Sequence, residues 1–163
     1  MCKIHKGYIP GSIGRVAEMH GKYYADIWKF DAFFEAKVAT ELSEFMIRYD
    51  PNRDAFWCVV HGRRIEGSIT IDGIHAEDDG AHLRWFIMSE VLRGRGFGSC
   101  LLDEATTFCK AQHYPRIYLW TFAGLGAARK LYERAGFVLV HQERGKRWGT
   151  EVTEQKFILE LAQ

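Results

Sequence analysis

Apolar residues follow two rhythms along this chain, and each change of rhythm marks an element. Lys3–Tyr8 reads as a short first strand, ended by the Pro10-Gly11 turn. Ile13, Val16, Ala17, His20, Tyr24 and Ile27 then share one stripe at helical spacing, with Ser12 placed to cap the helix. Asp31 is a second cap candidate, and Phe34, Val38, Leu42, Phe45 and Tyr49 form the next stripe up to Asp50-Pro51. The period then shortens. Ala55–His61 and Arg64–Asp72 flank the turn His61-Gly62-Arg63, and Ala81–Met88 follows the polar loop Glu77–Gly80, so an antiparallel meander is predicted. Helical spacing returns over Gly98–His113, with Leu101, Leu102, Ala105, Phe108 and Cys109 on one face. Arg116–Thr121 is a nearly continuous apolar run of the kind buried in a parallel pair. Leu125–Ala135 is helical, with Ala128, Leu131, Tyr132 and Ala135 on its stripe, and Gly136 stands where a left-handed cap belongs. Phe137–Val140 and Lys156–Leu161 close the chain as strands. The order is βααβββαβαββ, an α/β (α+β) fold whose mixed sheet of six to seven strands is flanked by four helices. The central β-α-β passage implies a parallel pair joined by a right-handed crossover.

With 163 residues, one domain over 1–163 is expected. The balance of 22 basic and 21 acidic residues leaves a net charge of +1, which gives no general case for nucleic acid as a partner. No apolar run approaches the length of a membrane span, and the first residues lack a secretory signal. Cys2, Cys58, Cys100 and Cys109 show neither C-x-x-C pairing nor zinc-ligand spacing. The expectation is free thiols in a reducing cytoplasm and no metal site.

The sharpest local feature is Arg93-Gly94-Arg95-Gly96-Phe97-Gly98-Ser99, between a strand and a helix. Glycines at alternate positions let the backbone curl and let a ligand approach where a Cβ would obstruct it. The helix that follows offers unpaired amides and a positive dipole end, and Arg93 and Arg95 add charge. This is a cradle for a phosphate or pyrophosphate. It is not a P-loop, since Gly-Lys-Ser/Thr is absent. It is not a dinucleotide fingerprint either. The third glycine position is Ser99, and Arg116–Trp120 stands where an acidic residue would be needed.

These residues resemble those of the GNAT family of N-acetyltransferases. Arg93-x-x-Gly96-x-Gly98, after a strand and before an amphipathic helix, matches that family's (Q/R)-x-x-G-x-(G/A) signature. Ala127–Phe137 matches its A-x-x-x-Y-x-x-x-G-F segment. The opening Tyr8–Gly14, with His20-Gly21 and Tyr24-Ala25, further resembles acetyltransferase domains fused behind MarR-type regulators, though only six residues precede Gly7 here. The resemblance implies acetyl-CoA as donor and an amine, on a small molecule or a peptide, as acceptor. It implies pyrophosphate binding by Arg93, Gly94, Arg95, Gly96, Phe97, Gly98 and Ser99, and pantetheine pairing along Phe86, Ile87 and Met88. It makes Tyr132 the group that protonates the departing thiolate. A homodimer is a further family-level expectation. Two positions depart from the family pattern: Trp120–Ala123 carries no Asn, and Glu90 replaces a proline.

The acceptor side is less sharply written. His20, Tyr24 and Trp28 follow one another at i+4 on the first helix, and in this fold that helix roofs the acceptor cleft. They are the candidate acceptor contacts. Glu66, Asp72, His75, His82 and Glu90 are the nearby titratable groups that could take the amine's proton, and water is an alternative. Arg144–Gly149 is an exposed basic turn, with attraction of an anionic acceptor or contact with a partner subunit as the other readings. N-acetyl transfer by direct attack in a ternary complex is the expected activity. A non-catalytic acyl-CoA-binding regulatory module is the alternative.

Overall fold

The computed structural model describes residues 1–162. Its elements are β1 (Cys2–Lys6), α1 (Ser12–Trp28), α2 (Ala32–Ile47), β2 (Ala55–His61), β3 (Arg64–Asp72), β4 (Ala81–Met88), α3 (Phe97–Ala111), β5 (Arg116–Phe122), α4 (Gly126–Ala135), β6 (Val138–Gly145) and β7 (Val152–Glu160). They build one seven-stranded sheet of order β1-β2-β3-β4-β5-β7-β6. The meander β1 to β4 is antiparallel throughout, and β5-β7-β6 is antiparallel as well. Only β4 and β5 run parallel, joined through α3.

Both faces of the meander are covered, which explains why β2 is apolar without alternation. Ala55, Trp57 and Val59 point to the cluster that holds Leu101, Leu102, Ala105, Phe108 and Cys109 of α3. Phe56 and Cys58 point the other way, to Val16 and Met19 of α1 and Leu42 and Phe45 of α2. A third cluster gathers Ala17, Phe30, Phe34, Val38, Phe122 and Val152 at the far end of β5.

The caps refine the sequence reading. Asp31 caps α2, its carboxylate accepting from the Phe33 amide at 3.1 Å. Ser12 does not cap α1. Gly11 takes that position at φ 91°, and Ser12 lies inside the first turn, fully buried, its hydroxyl without a partner among the described residues. From there the hydroxyl cannot turn back to its own helix's amides. Ile27, expected on the apolar stripe, is 58% exposed, while Trp28 beside it packs on Phe122. Gly136 caps α4 in the left-handed conformation, at φ 101°.

Candidate active site

The site is opened by a gap between strands. The β4–β5 ladder consists of Ala81↔Ile117 and His82↔Tyr118, and there it stops. Beyond it the strands part, and a cavity of about 180 Å³ lies between Leu83–Phe86 on one side and Leu119–Phe122 on the other. A bulge accompanies the parting. Two β4 residues, Trp85 and Phe86, stand opposite the single β3 residue Ile69. Trp85 adopts φ 46°, unusual for a bulky side chain, and the buried Ser68 hydroxyl donates to its carbonyl at 2.8 Å. The bulge turns Phe86 toward the cavity, while Ile87 returns to register with Ser68 and Met88 with Gly67.

The glycine-rich loop follows directly. Gly94 and Gly96 have φ of 73° and 83°, and a Cβ on either would meet nothing within 4 Å. Conformation therefore demands glycine at both, and the space above them is open. Gly96 is the N-cap of α3, and no side chain bonds to the first amides of that helix. Those amides can receive an anion. Arg93 lies over the Tyr23 ring of α1 at 4.5 Å, and Arg95 and Ser99 are exposed. Phe97 leans on the α3 core, and a Cβ at Gly98 would crowd Leu131 of α4 at 3.2 Å.

Tyr132 reaches the cavity from α4, between Phe86 at 6.0 Å and Phe137 at 5.8 Å. Burial pushes its hydroxyl above the ordinary phenol range, and Tyr24 nearby adds to the effect. Tyr132 is therefore a neutral phenol. Tyr24 and His20 also line the cavity. Burial lowers His20 to about 4, so it is neutral and donates from Nδ1 to the Val16 carbonyl at 2.8 Å. Trp28 stands apart from the other two. It packs edge-on to Phe122 at 4.9 Å and against Gly124, and it is not among the lining residues.

Of the proton acceptors considered from sequence, only His82 faces the cavity. It stacks on Tyr118 at 4.5 Å, and burial, with Arg84 beside it, holds the imidazole neutral. Glu66 is buried against Arg15 at 3.1 Å. Burial opposes the charge on Asp72, yet Arg48 and Arg84 hold its carboxyl below the usual range. His75 and Glu90 are exposed. Burial lifts the thiols of Cys58 and Cys109 to about 12, which removes them as nucleophiles.

Residues 16–137 match the acetyltransferase (GNAT) family profile. The chain belongs to the GNAT acetyltransferase family. Among curated GNAT relatives, the N-acetylaspartate synthetase of Homo sapiens is 27% identical over 117 residues, 71% of this chain and 38% of that protein. The one from Xenopus tropicalis is 31% identical over 104 residues, 63% of this chain and 38% of its own length. The chain thus spans about two fifths of these relatives. Solved structures repeat the whole GNAT fold. A GNAT acetyltransferase from Staphylococcus aureus superposes with a TM-score of 0.77 at 19% identity, over 99% of this chain and 100% of that one. A Salmonella typhimurium protein solved with its cofactor acetyl-CoA gives 0.73 at 12% identity, over 100% of this chain and 95% of its own.

The GNAT cavity also contains residues that the sequence reading missed. Lys37 and Glu41 enter from α2, Arg84 from β4, Trp120 from β5, and Arg147 and Trp148 from the β6–β7 connection. Arg147 and Trp148 lie in the stretch read as an exposed basic turn. Arg144, Lys146, Arg147 and Gly149 are indeed exposed, and within that turn the Arg147 guanidinium lies over Trp120 at 3.9 Å. Lys37 and Glu41 stand at i and i+4 on α2, the one local signal that they share a face.

Proposed function

We propose that this chain is an N-acetyltransferase that moves the acetyl group of acetyl-CoA to an amine in a ternary complex. The observation that carries the reading is the parted β4–β5 edge with Tyr132 in its cavity, followed along the chain by the open loop over Gly94 and Gly96 at the start of α3. In this reading the α3 amides, Arg93 and Arg95 hold the pyrophosphate, with Phe97, Gly98 and Ser99 setting the first turn. The backbone of Phe86, Ile87 and Met88 pairs with the pantetheine arm, and an amide there polarises the thioester carbonyl. The acceptor nitrogen, neutral when it attacks, enters from the side of His20 and Tyr24 and bonds to the acetyl carbon as the carbon–sulfur bond breaks, its surplus proton passing to water. The Tyr132 hydroxyl gives its proton to the departing sulfur. Holding both reactants in one cleft supplies much of the rate. The likeness of Tyr8–Gly14 to regulator-fused acetyltransferase domains belongs to the same reading and leaves the chemistry unchanged.

The test is calorimetric titration with acetyl-CoA. Wild type is expected to bind, and Gly96→Glu to lose at least about tenfold in affinity, since a side chain and a negative charge enter an anion cradle at positive φ. Equal binding by both proteins would remove the loop from the donor site, and binding by neither would end the donor assignment. Binding with no turnover on any amine would favour the regulatory module instead.

A further inference from the structure

The charges that face the cavity are unequal in number and in commitment. Lys37, Arg84 and Arg147 line it against the single carboxylate of Glu41. Glu41 is fully engaged, one oxygen accepting from Arg84 and the other from Lys37. The second terminal nitrogen of Arg84 bonds Asp72 at 3.2 Å, and Asp72 also takes both terminal nitrogens of Arg48. Arg147 is held differently. Its Nε donates to the buried Glu154 at 3.2 Å, its own amide donates to the other oxygen at 2.9 Å, and its guanidinium carbon sits over the Trp120 ring at 3.9 Å. Its two terminal nitrogens make no hydrogen bond among the described residues. The fork is thus fixed in place by Trp120 and Glu154 while its donor edge stays free.

A free guanidinium edge fits a carboxylate, which it can bind through two parallel hydrogen bonds. The same edge repels a second ammonium, so polyamines suit this cavity poorly. We infer that the acceptor is a small amine bearing a carboxylate, such as an amino acid, with its acid group on Arg147. A cavity of about 180 Å³ lies below the roughly 300–1,000 Å³ usual for ligand sites, so it admits only a small acceptor. This assignment rests on the acetyl-transfer reading above. It makes Arg147 a specificity residue, and Tyr132 retains the proton transfer.

The experiment uses amino acids beside the amines left when their carboxyl groups are removed: L-phenylalanine with phenethylamine, L-leucine with 3-methylbutylamine, and L-aspartate with ethylamine. For the best-accepted pair, kcat/KM should favour the acid by about tenfold or more, the range of a charge-assisted pair. Arg147→Ala should erase that preference through KM, with kcat little changed, and Arg147→Lys should restore part of it. Amines acetylated as well as their acids, or a ratio unmoved by Arg147→Ala, would overturn the assignment. Calorimetric titration of the coenzyme A complex with N-acetyl-L-phenylalanine, N-acetyl-L-leucine and N-acetyl-L-aspartate supplies a readout without turnover. Binding weakened by Arg147→Ala would support the carboxylate site even in a protein that transfers nothing. Failure of all three to bind would end it. Acetyl-CoA titration of the same proteins reports separately on the donor reading.

Discussion

Tyr132 and Arg147 stand on one cavity but differ in how they could be found. Tyr132 lies four residues before Gly136 on a single helix, so a local pattern carries it. The glycine-rich loop is local in the same way, because a positive φ at Gly94 and Gly96 must be met by the residue itself. Arg147 owes its place to Trp120, 27 positions earlier, and to Glu154 across a hairpin, and no spacing announces that meeting. Trp28 is likewise placed by a partner far along the chain. Helical spacing puts it in line with His20 and Tyr24, but Gly124 leaves a seat for its ring beside Phe122, and it packs there. For Tyr132 the expected outcome follows from its protonation. Tyr132→Phe removes one hydroxyl from a packed aromatic site and should lower kcat about a hundredfold, the lower range for a general acid. Acetyl-CoA affinity should stay within about twofold, as no donor-holding group is touched. Steady-state kinetics beside calorimetry will show this split, and an unchanged kcat would assign the proton to another source.

Among the elements, strands with two covered faces were the most legible. Every residue of β2 from Ala55 to Val59 is buried, and the apolar run outlasts full burial only by the half-buried Val60. β6 was read as far as Val140 but extends to Gly145, and β7 begins at Val152, four residues before the expected Lys156. The added residues pair Glu143 with Glu154 and Arg144 with Thr153; β6 is an exposed edge, and on the interior β7 the polar Glu154 and Gln155 are buried, so side-chain polarity carries no strand signal in either. The β4 bulge was equally silent, because Trp85 is an ordinary strand former that here takes φ 46°. Ser68 fastens that bulge from β3. Ser68→Ala would strand the Trp85 carbonyl inside the sheet, and a stability loss of about 1–2 kcal/mol is expected in chemical denaturation. A rise in KM for acetyl-CoA should accompany it, because the relaxed bulge redirects Phe86. Lost stability with an unaltered KM would separate the bulge from donor binding.

Across the whole molecule, the buried imidazoles set the response to acid. His20 titrates near 4 in the folded chain against 6.5 when exposed, and His82 is lowered as well. The unfolded chain therefore binds protons that the folded one refuses. Stability is complete above about pH 6.5 and falls as pH drops toward 4, with His20 alone costing on the order of 3 kcal/mol by then. Melting temperatures measured across that window should decline. His20→Gln, which keeps a donor for the Val16 carbonyl, should flatten the slope, and a slope identical to wild type would assign the acid sensitivity elsewhere. The strand order β5-β7-β6 has a different consequence, for synthesis on the ribosome. β6 leaves before β7, yet in the finished sheet its neighbour is β7 alone. Until β7 emerges, β5 keeps an open edge and β6 has nothing to pair with. The nascent chain thus carries a completed meander and glycine loop before the wall that bears Arg147 exists, and the cleft between them closes only once β7 has left the ribosome.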